Sequence, residues 1–402
     1  MTSEWHEVPL RELVGYISKG IAPSYAEEAS ETTIRVLNQK CNRNFRISYG
    51  DSRLHDTLKK KVPPERYVKP DDILINSTGA GTAGRIAQIE DVPSATTIDG
   101  HMILIRSNGK VTQKFLGYAL KAHQWEVLQL DEGSTGQTEL NRDRLLDEIM
   151  INYPVSFDEQ NAIVGTLESI DRKLIVNKEI NDNLYAQARA IKRQWVAKSK
   201  DRYELLPLNE VAAINPDTYS PKEAWEYVNY LDTSSITNGF IADIRHIVPS
   251  SEKLPSRARR KVAAGDVLFS TVRPNQNHFG IISDPLPNML ASTGFAAIRS
   301  KNPLVCNELI YLCLTELDFI EKMQQLAEQS TSTFPSIKPS DLGTCQIPCP
   351  KDESSDAFTD TLKSLFALIA ENFRENSSLA TMREALLPKL MSGEIDVSAV
   401  QL

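Results

Sequence analysis

The sequence predicts a duplicated α+β protein: two globular mixed α/β domains separated by a pair of long antiparallel coiled-coil helices, with pseudo-two-fold symmetry. Three observations predict it. Motifs of the first half return in the second half in the same order, two tracts carry one and the same heptad, and the remaining segments mix short apolar runs with turn-forming residues.

PLRELVGYI at 9–17 returns as PLNEVAAIN at 207–215, an offset of 198. DDILINS at 71–77 returns as GDVLFST at 265–271, and ILIRS at 103–107 as AAIRS at 296–300. EGSTGQTEL at 132–140 returns as EQSTSTFPS at 328–336, and INYP at 151–154 as IPCP at 347–350, both offset by 196. An ordered repeat with a period near 200 marks a duplicated domain and not a solenoid of short units. Within each copy, apolar runs such as DILIN, MILIR, DVLFS and FGIIS are the strands. KFLGYALKAHQWEVL and NELIYLCLTELDFIEKM are the helical patches.

Each globular part ends at a proline, Pro154 or Pro350, and gives way to a helix. The first helix opens with Ser156 and Glu159 at the N-cap and N3 spacing of a capping box. Its inward positions are Ile163, Leu167, Ile170, Leu174, Asn177, Asn181, Leu184, Ala188 and Ile191, with steps alternating 4 and 3. The second helix repeats the steps at Phe358, Leu362, Leu365, Ile369, Asn372, Asn376, Leu379, Arg383 and Leu386. Two asparagines occupy equivalent central places in both. A polar residue in a helix seam costs stability but fixes register, because a slipped pairing leaves its amide unsatisfied. One such helix alone is equally a dimerisation helix; two with one pattern in one chain favour an intramolecular antiparallel pair. At 1.5 Å per residue, about 35 residues make a rod roughly 50 Å long. The expected division is 1–155, 156–200, 201–350 and 351–402.

The chain has 402 residues, 41% hydrophobic and 24% charged, enough apolar content for packed cores. No apolar run reaches the roughly 18–20 residues of a membrane span. The opening MTSEWHEVPL has no basic and apolar leader pattern, so the expectation is a soluble cytoplasmic protein with no membrane partner. Five cysteines (Cys41, Cys306, Cys313, Cys345, Cys349) are odd in number and include no CxxC, so neither a disulfide framework nor a metal site is expected.

The net charge of −8 argues against indiscriminate coating of nucleic acid but leaves room for a local DNA-binding face. By region the balance is −2 over 1–155, +2 over 156–200, −4 over 201–350 and −4 over 351–402. Residues 32–50 hold Arg35, Lys40, Arg43 and Arg46 without one acid, and Arg257, Arg259, Arg260 and Lys261 form a second basic knot.

No catalytic residues are expected. STGAGTAGR at 77–85 lacks the lysine of a phosphate loop and reads as a turn after a strand. Neither a G-x-S-x-G elbow, an H-E-x-x-H pair nor the Asn/Asp-Pro-Pro-Tyr/Phe string of adenine methyltransferases is present. His55, His101, His123, His246 and His278 stand alone and read as surface or structural groups. Recognition side chains are better supplied, since base readout uses Arg for guanine and Asn or Gln for adenine. The candidates in the first copy are Lys40, Arg43, Asn44, Arg46, Thr78, Arg85, Thr135 and Gln137. In the second they are Arg257, Arg259, Arg260, Lys261, Arg273, Asn275, Gln276, Asn277, Thr331 and Lys338. Taken singly each is an ordinary polar surface residue; as paired clusters in duplicated domains they favour recognition.

This pattern resembles the specificity subunit of type I restriction-modification systems. The resemblance rests on the W-x-x-V/L-P-L opening at 5–10, weakened at 203–208, and on the D-I-L-I and D-V-L-F strands. It rests further on YPVSFDEQNAIVGTLESIDRKLIVNKEINDNL at 153–184, similar to the family's central region, and on the ending LLPKLMSGEIDV at 386–397. PKDESSDAF at 350–358 departs from the P-x-x-x-E-Q-x-x-I pattern of 154–163.

The resemblance implies a non-catalytic chain whose two target recognition domains, 1–155 and 201–350, each read half of a bipartite double-stranded DNA target. The helical rod would set a gap of ~15 base pairs between domain centres. Two methyltransferase subunits, acting with S-adenosylmethionine, and two ATP- and Mg-dependent restriction/motor subunits would be partners; this chain itself would hold no cofactor. The alternative is a non-catalytic coiled-coil scaffold with two protein-binding domains.

Overall fold

The computed structural model describes residues 4–79, 81–132, 139–330 and 334–400. The chain forms two compact units, Met1–Leu174 with Ser378–Leu402, and Ile175–Ser377. Each unit therefore takes in a stretch of both long helices, so compactness divides the chain at other places than a linear division at 155, 200 and 350.

In the first unit, Ile73–Asn76 is buried at every position and lies inside an antiparallel sheet of order Val14–Lys19, Met102–Ser107, Ile73–Asn76, Ile86–Gln88. Continuous apolar character is what a strand covered on both faces requires. One face packs on Gln113–Ala122, whose N-terminus is capped by Thr112, and on the long helices through Ile163, Leu167, Leu387 and Leu390. The other face packs, through Leu74, Met102 and Leu104, against a second sheet. That sheet has the order Thr96–Ile98, Thr33–Leu37, Arg53–Asp56, Tyr25–Ala26, the first pair parallel. Trp5–Pro9 and Met150–Pro154 pair antiparallel on the helix side of the first sheet and bring the chain to the first long helix.

The second unit repeats the plan. Its first sheet runs Ala212–Ile214, Phe295–Ser300, Asp266–Ser270, Phe279–Ile282, all antiparallel. Its second sheet runs Arg245–Ile247, Val228–Leu231, Met289–Ser292, Ala258–Lys261, again with one parallel pair. Tyr203–Pro207 pairs with Gln346–Pro350, as Trp5–Pro9 does with Met150–Pro154. The units differ at a sheet edge: Tyr25–Ala26 extends one side in the first, Ala258–Lys261 the other side in the second.

A buried ion pair is repeated too. Arg106 Nε and Nη2 donate to the Asp72 carboxylate at 2.7 and 2.7 Å. Arg299 donates to Asp266 at 2.7 and 2.9 Å. These hydrogen bonds are the main reason both guanidinium groups hold their protons more tightly than usual. All four residues lie in the repeated strand segments, tying neighbouring strands together by bidentate contact.

The long helices span Phe157–Lys198 and Asp356–Met391, 42 and 36 residues. The first outruns its heptad tract at both ends; Ser156 caps it by accepting from Glu159 N at 3.4 Å. Within the second unit they pair antiparallel in one register. Asn177 Nδ2 donates to Asn376 Oδ1 at 2.9 Å, and four residues on, Asn372 Nδ2 donates to Asn181 Oδ1 at 2.7 Å. Trp195 stacks on Phe358, ring centroids 4.3 Å apart, in the same register. The predicted seam is inward throughout: Ile163, Leu167, Ile170, Asn177, Asn181, Leu362, Ile369 and Asn376 are buried, and Leu174, Leu184, Leu365, Asn372 and Leu379 are half-buried. In the first unit the antiparallel pairing is marked by Arg383, which occupies a seam position and donates to Asp171 at 2.9 Å. The duplicated α+β class with paired long helices is thus what the chain folds into.

Candidate nucleic-acid interface

In the first unit, Asn42–Arg43 and Arg46–Ile47 form a hairpin whose turn residues, Asn44 and Phe45, have φ of 53° and 61°. Positive φ at both central positions is the type I′ geometry that suits a two-residue hairpin. Asn42 is fully buried and donates to Arg85 O at 2.8 Å and to Asn76 Oδ1 at 3.2 Å. The hairpin is thereby pinned to the end of the central strand and the loop that follows it. Lys40, Arg43, Asn44 and Arg85 line one open concavity together with Gln39, Thr82 and Gln124. Arg85 also donates to Gly81 O at 3.0 Å. Arg46 instead faces Glu90 at 3.4 Å across an exposed contact worth little in stability. Thr78 bonds His101 at 2.7 Å and is bridged to Glu139.

The second unit builds the same end differently. Ile236–Thr237 and Phe240–Ile241 form the equivalent hairpin, with Asn238 and Gly239 at φ of 48° and 83°. Asn238 N donates to Asn277 O at 2.9 Å and Gly239 N to Phe279 O at 2.8 Å. A Cβ at Gly280 would lie 2.6 Å from Ile236 Cδ1 and 3.0 Å from Gly239 Cα, so only glycine lets the hairpin approach this closely. Beside it, Arg273 lies over the Phe334 ring at 5.1 Å, a cation–π contact that orients the guanidinium. Asn275 and Gln276 are exposed, and Asn277 turns the loop at φ 57°. Ile337 N donates to Thr271 O at 2.9 Å and brings the exposed Lys338 to the same loop.

The candidates therefore divide. Arg273, Asn275, Gln276, Asn277 and Lys338 come together, as do Lys40, Arg43, Asn44 and Arg85 in their own unit. The basic knot does not act as one patch. Arg257 joins the loop end, its carbonyl accepting from Thr293 while Gly294 O accepts from Thr271. Arg259 donates to Ser256 O at 3.2 Å, and Lys261 pairs with Glu223 at 2.6 Å and lies 5.4 Å from the Trp225 ring centroid. Arg260 is half-buried, and burial pushes its pKa down. Thr135, Gln137 and Thr331 lie outside the described residues. The hairpin at 236–241 was missed because it carries no basic side chain; its signal was the Asn-Gly dipeptide at 238–239 between apolar runs.

Burial raises the pKa of all five cysteine thiols, Cys306 to about 12, so none is poised as a thiolate. Among the described residues, no group of three or more His, Cys, Asp or Glu side chains is placed to hold a metal ion. No helix among them is long and apolar enough to cross a membrane.

The duplicated fold thus presents a hairpin and polar loops beside the end of the central strand in each unit. Residues 2–186 match the family described as Type I restriction modification DNA specificity domain. The HindI specificity subunit of Haemophilus influenzae is 24% identical over 163 residues, 40% of this chain and 35% of that relative's length. The MjaIX specificity subunit of Methanocaldococcus jannaschii is 26% identical over 378 residues, 87% of this chain and 83% of the relative. The S subunit of M. genitalium, at 17% identity, shares the fold with a TM-score of 0.58 over 97% of this chain and 99% of that one. The chain is similar to the DNA specificity subunits of type I restriction-modification systems, over its first 186 residues by the family match and over most of its length by the MjaIX relative.

Proposed function

We propose that this chain reads a bipartite double-stranded DNA target, one half-site per unit, and carries no catalytic step of its own. The observation that supports this most is the duplication of one recognition end on two different side-chain sets. In one unit the polar tips are Arg43 and Asn44 on the hairpin with Arg85 beside them; in the other they are Arg273, Asn275 and Gln276 on the loop after the central strand. Two copies of one scaffold with divergent polar tips suit two unlike half-sites, since the scaffold sets the approach and the tips supply the base contacts. Two methyltransferase subunits using S-adenosylmethionine dock on the long helices, and two ATP- and Mg-dependent motor/nuclease subunits join for restriction. The named relatives, each a specificity subunit of a type I system, support a place for this chain in such a system.

The test is long-read mapping of adenine methylation in cells carrying this chain with its neighbouring methyltransferase gene. A split motif whose second half relaxes in Arg273→Ala is the expected result. An unchanged methylome relative to cells lacking the chain, with all subunits expressed, would overturn it.

A further inference from the structure

Both hairpins are tied to the long helices, one by way of a charge network around Asp171 and the other by way of an aromatic cluster that includes the equivalent position, Phe366. In the first unit, Tyr118 OH donates to Asp171 Oδ2 at 2.9 Å. Lys121 Nζ meets the same oxygen at 3.2 Å, and Arg383 Nη1 donates to Oδ1 at 2.9 Å. Lys121 in turn lies 5.1 Å from the ring centroid of Phe45, at the hairpin tip. Thus a short helix and both long helices meet at one half-buried carboxylate, and the hairpin tip joins them through Lys121.

In the second unit the equivalent residues follow from the repeat. Tyr118 stands 12 residues after Arg106, and Tyr311 stands 12 after Arg299. Asp171 precedes Asn177 by six residues, as Phe366 precedes Asn372. Tyr311 meets Phe366 edge-on, centroids 5.5 Å apart, where Tyr118 meets Asp171. Tyr185 packs on both rings, at 5.9 and 5.6 Å. The hairpin tip sits on this group: Phe240 lies 6.2 Å from Phe373, and a Cβ on Gly239 would come within 2.6 Å of Tyr185 OH. One unit holds its hairpin with a charge network, the other with an aromatic cluster.

We propose that Asp171 with Lys121, and Phe373 with Tyr185, are positioning residues that set the recognition hairpin of their own unit against the long helices. They act through the hairpin, by way of Phe45 in the first unit and of Phe240 and Gly239 in the second. The proposal rests on the recognition role of the hairpins for its consequence, half-site fidelity, but its mechanical part stands apart from that role. Losing a charge-assisted hydrogen bond of this kind corresponds to roughly 10- to 100-fold in a local opening equilibrium.

The experiment is amide hydrogen exchange on the full chain. Asp171→Asn is expected to accelerate exchange about 10-fold or more in 40–48 while leaving 234–242 and the core strand Ile73–Asn76 unchanged. Phe373→Ala is expected to do the reverse. Lys121→Met, which lies off the helix seam, serves if Asp171→Asn fails to fold, and Lys121→Arg is expected to restore protection. Unaltered exchange in 40–48, or equal acceleration in both hairpins or in the core strand, overturns the proposal. In the methylome, Asp171→Asn is expected to relax one half of the motif and Phe373→Ala the other. A wild-type chain that yields no split motif would defeat the functional reading, whereas the exchange experiment decides the positioning on its own.

Discussion

The Asn177 amide donates to Asn376 at 2.9 Å and to Glu375 Oε2 at 2.6 Å, although Asn177 is fully buried in a helix seam. Its partner is not the equivalent residue of the repeat, Asn372, which pairs with Asn181 instead. Antiparallel helices align the first asparagine of one with the second of the other, so register is checked twice.

Asn177→Leu alone should therefore destabilise the second unit by about 1–3 kcal/mol, the cost of leaving a buried amide without its partner. The matched double replacement Asn177→Leu with Asn376→Leu should recover much of that loss, while the mismatched Asn177→Leu with Asn372→Leu should not. Urea unfolding of the three variants checks this, and equal midpoints for the two doubles would contradict the register.

Asp266 is fully buried and accepts two hydrogen bonds from Arg299 and one from Ala263 N. Removing one partner of a buried pair typically costs roughly 3–5 kcal/mol. Because the Arg299 side chain keeps 31% exposure and a second partner in Asp217, Asp266→Ala should fall near the low end, about 3 kcal/mol. Asp266→Asn should lose less. Denaturant midpoints give the comparison.

The Asp171 carboxyl is held below its usual range. Burial alone would raise it, but Lys121 and the hydrogen bonds from Arg383 and Tyr118 outweigh that. A depressed carboxylate contributes stability above its unfolded value of about 3.9 and loses it as pH falls through the lower folded value. Wild-type stability should thus drop more steeply than that of Asp171→Asn below about pH 4. Parallel acid-unfolding curves would show that the network contributes nothing.

Arg43→Ala and Arg273→Ala should each relax a different half of the methylated motif, by about 1–3 kcal/mol of discrimination if the arginine grips a guanine. Lys338→Ala should weaken both cognate and altered targets alike, with a salt slope shallower by about one if it contacts a phosphate. Competition binding of labelled duplexes at several salt concentrations separates the two behaviours.

Much of this organisation was legible in one dimension. Apolar period marked the buried strands and the helix seam, because burial on two faces or along one stripe leaves a local trace. Ordered repetition marked the duplication. The side-chain types at 40–46 and 273–277 marked the two polar runs that we propose as recognition ends, since short acid-free polar runs are visible without coordinates. The Asn-Gly turn at 238–239 was equally legible as a hairpin, but its role was not, because its importance comes from backbone contacts to Asn277 and Phe279 that lie some 40 residues away in sequence.

Only folding decided which of these residues act together. The run Arg257–Lys261 looks like one basic knot, yet a strand separates its members along its length. One end joins the loop at Thr271, and the other ends on Glu223 and Trp225. Asp171 and Phe366 are equivalent by sequence and opposite in chemistry, and neither fact reveals that one is linked to a hairpin through Lys121 and the other through Tyr185. Local pattern is set by each residue's own burial and period. Which distant groups meet at a carboxylate or a ring is set by strand order and helix register, where a shift of one residue would send each side chain to another neighbour.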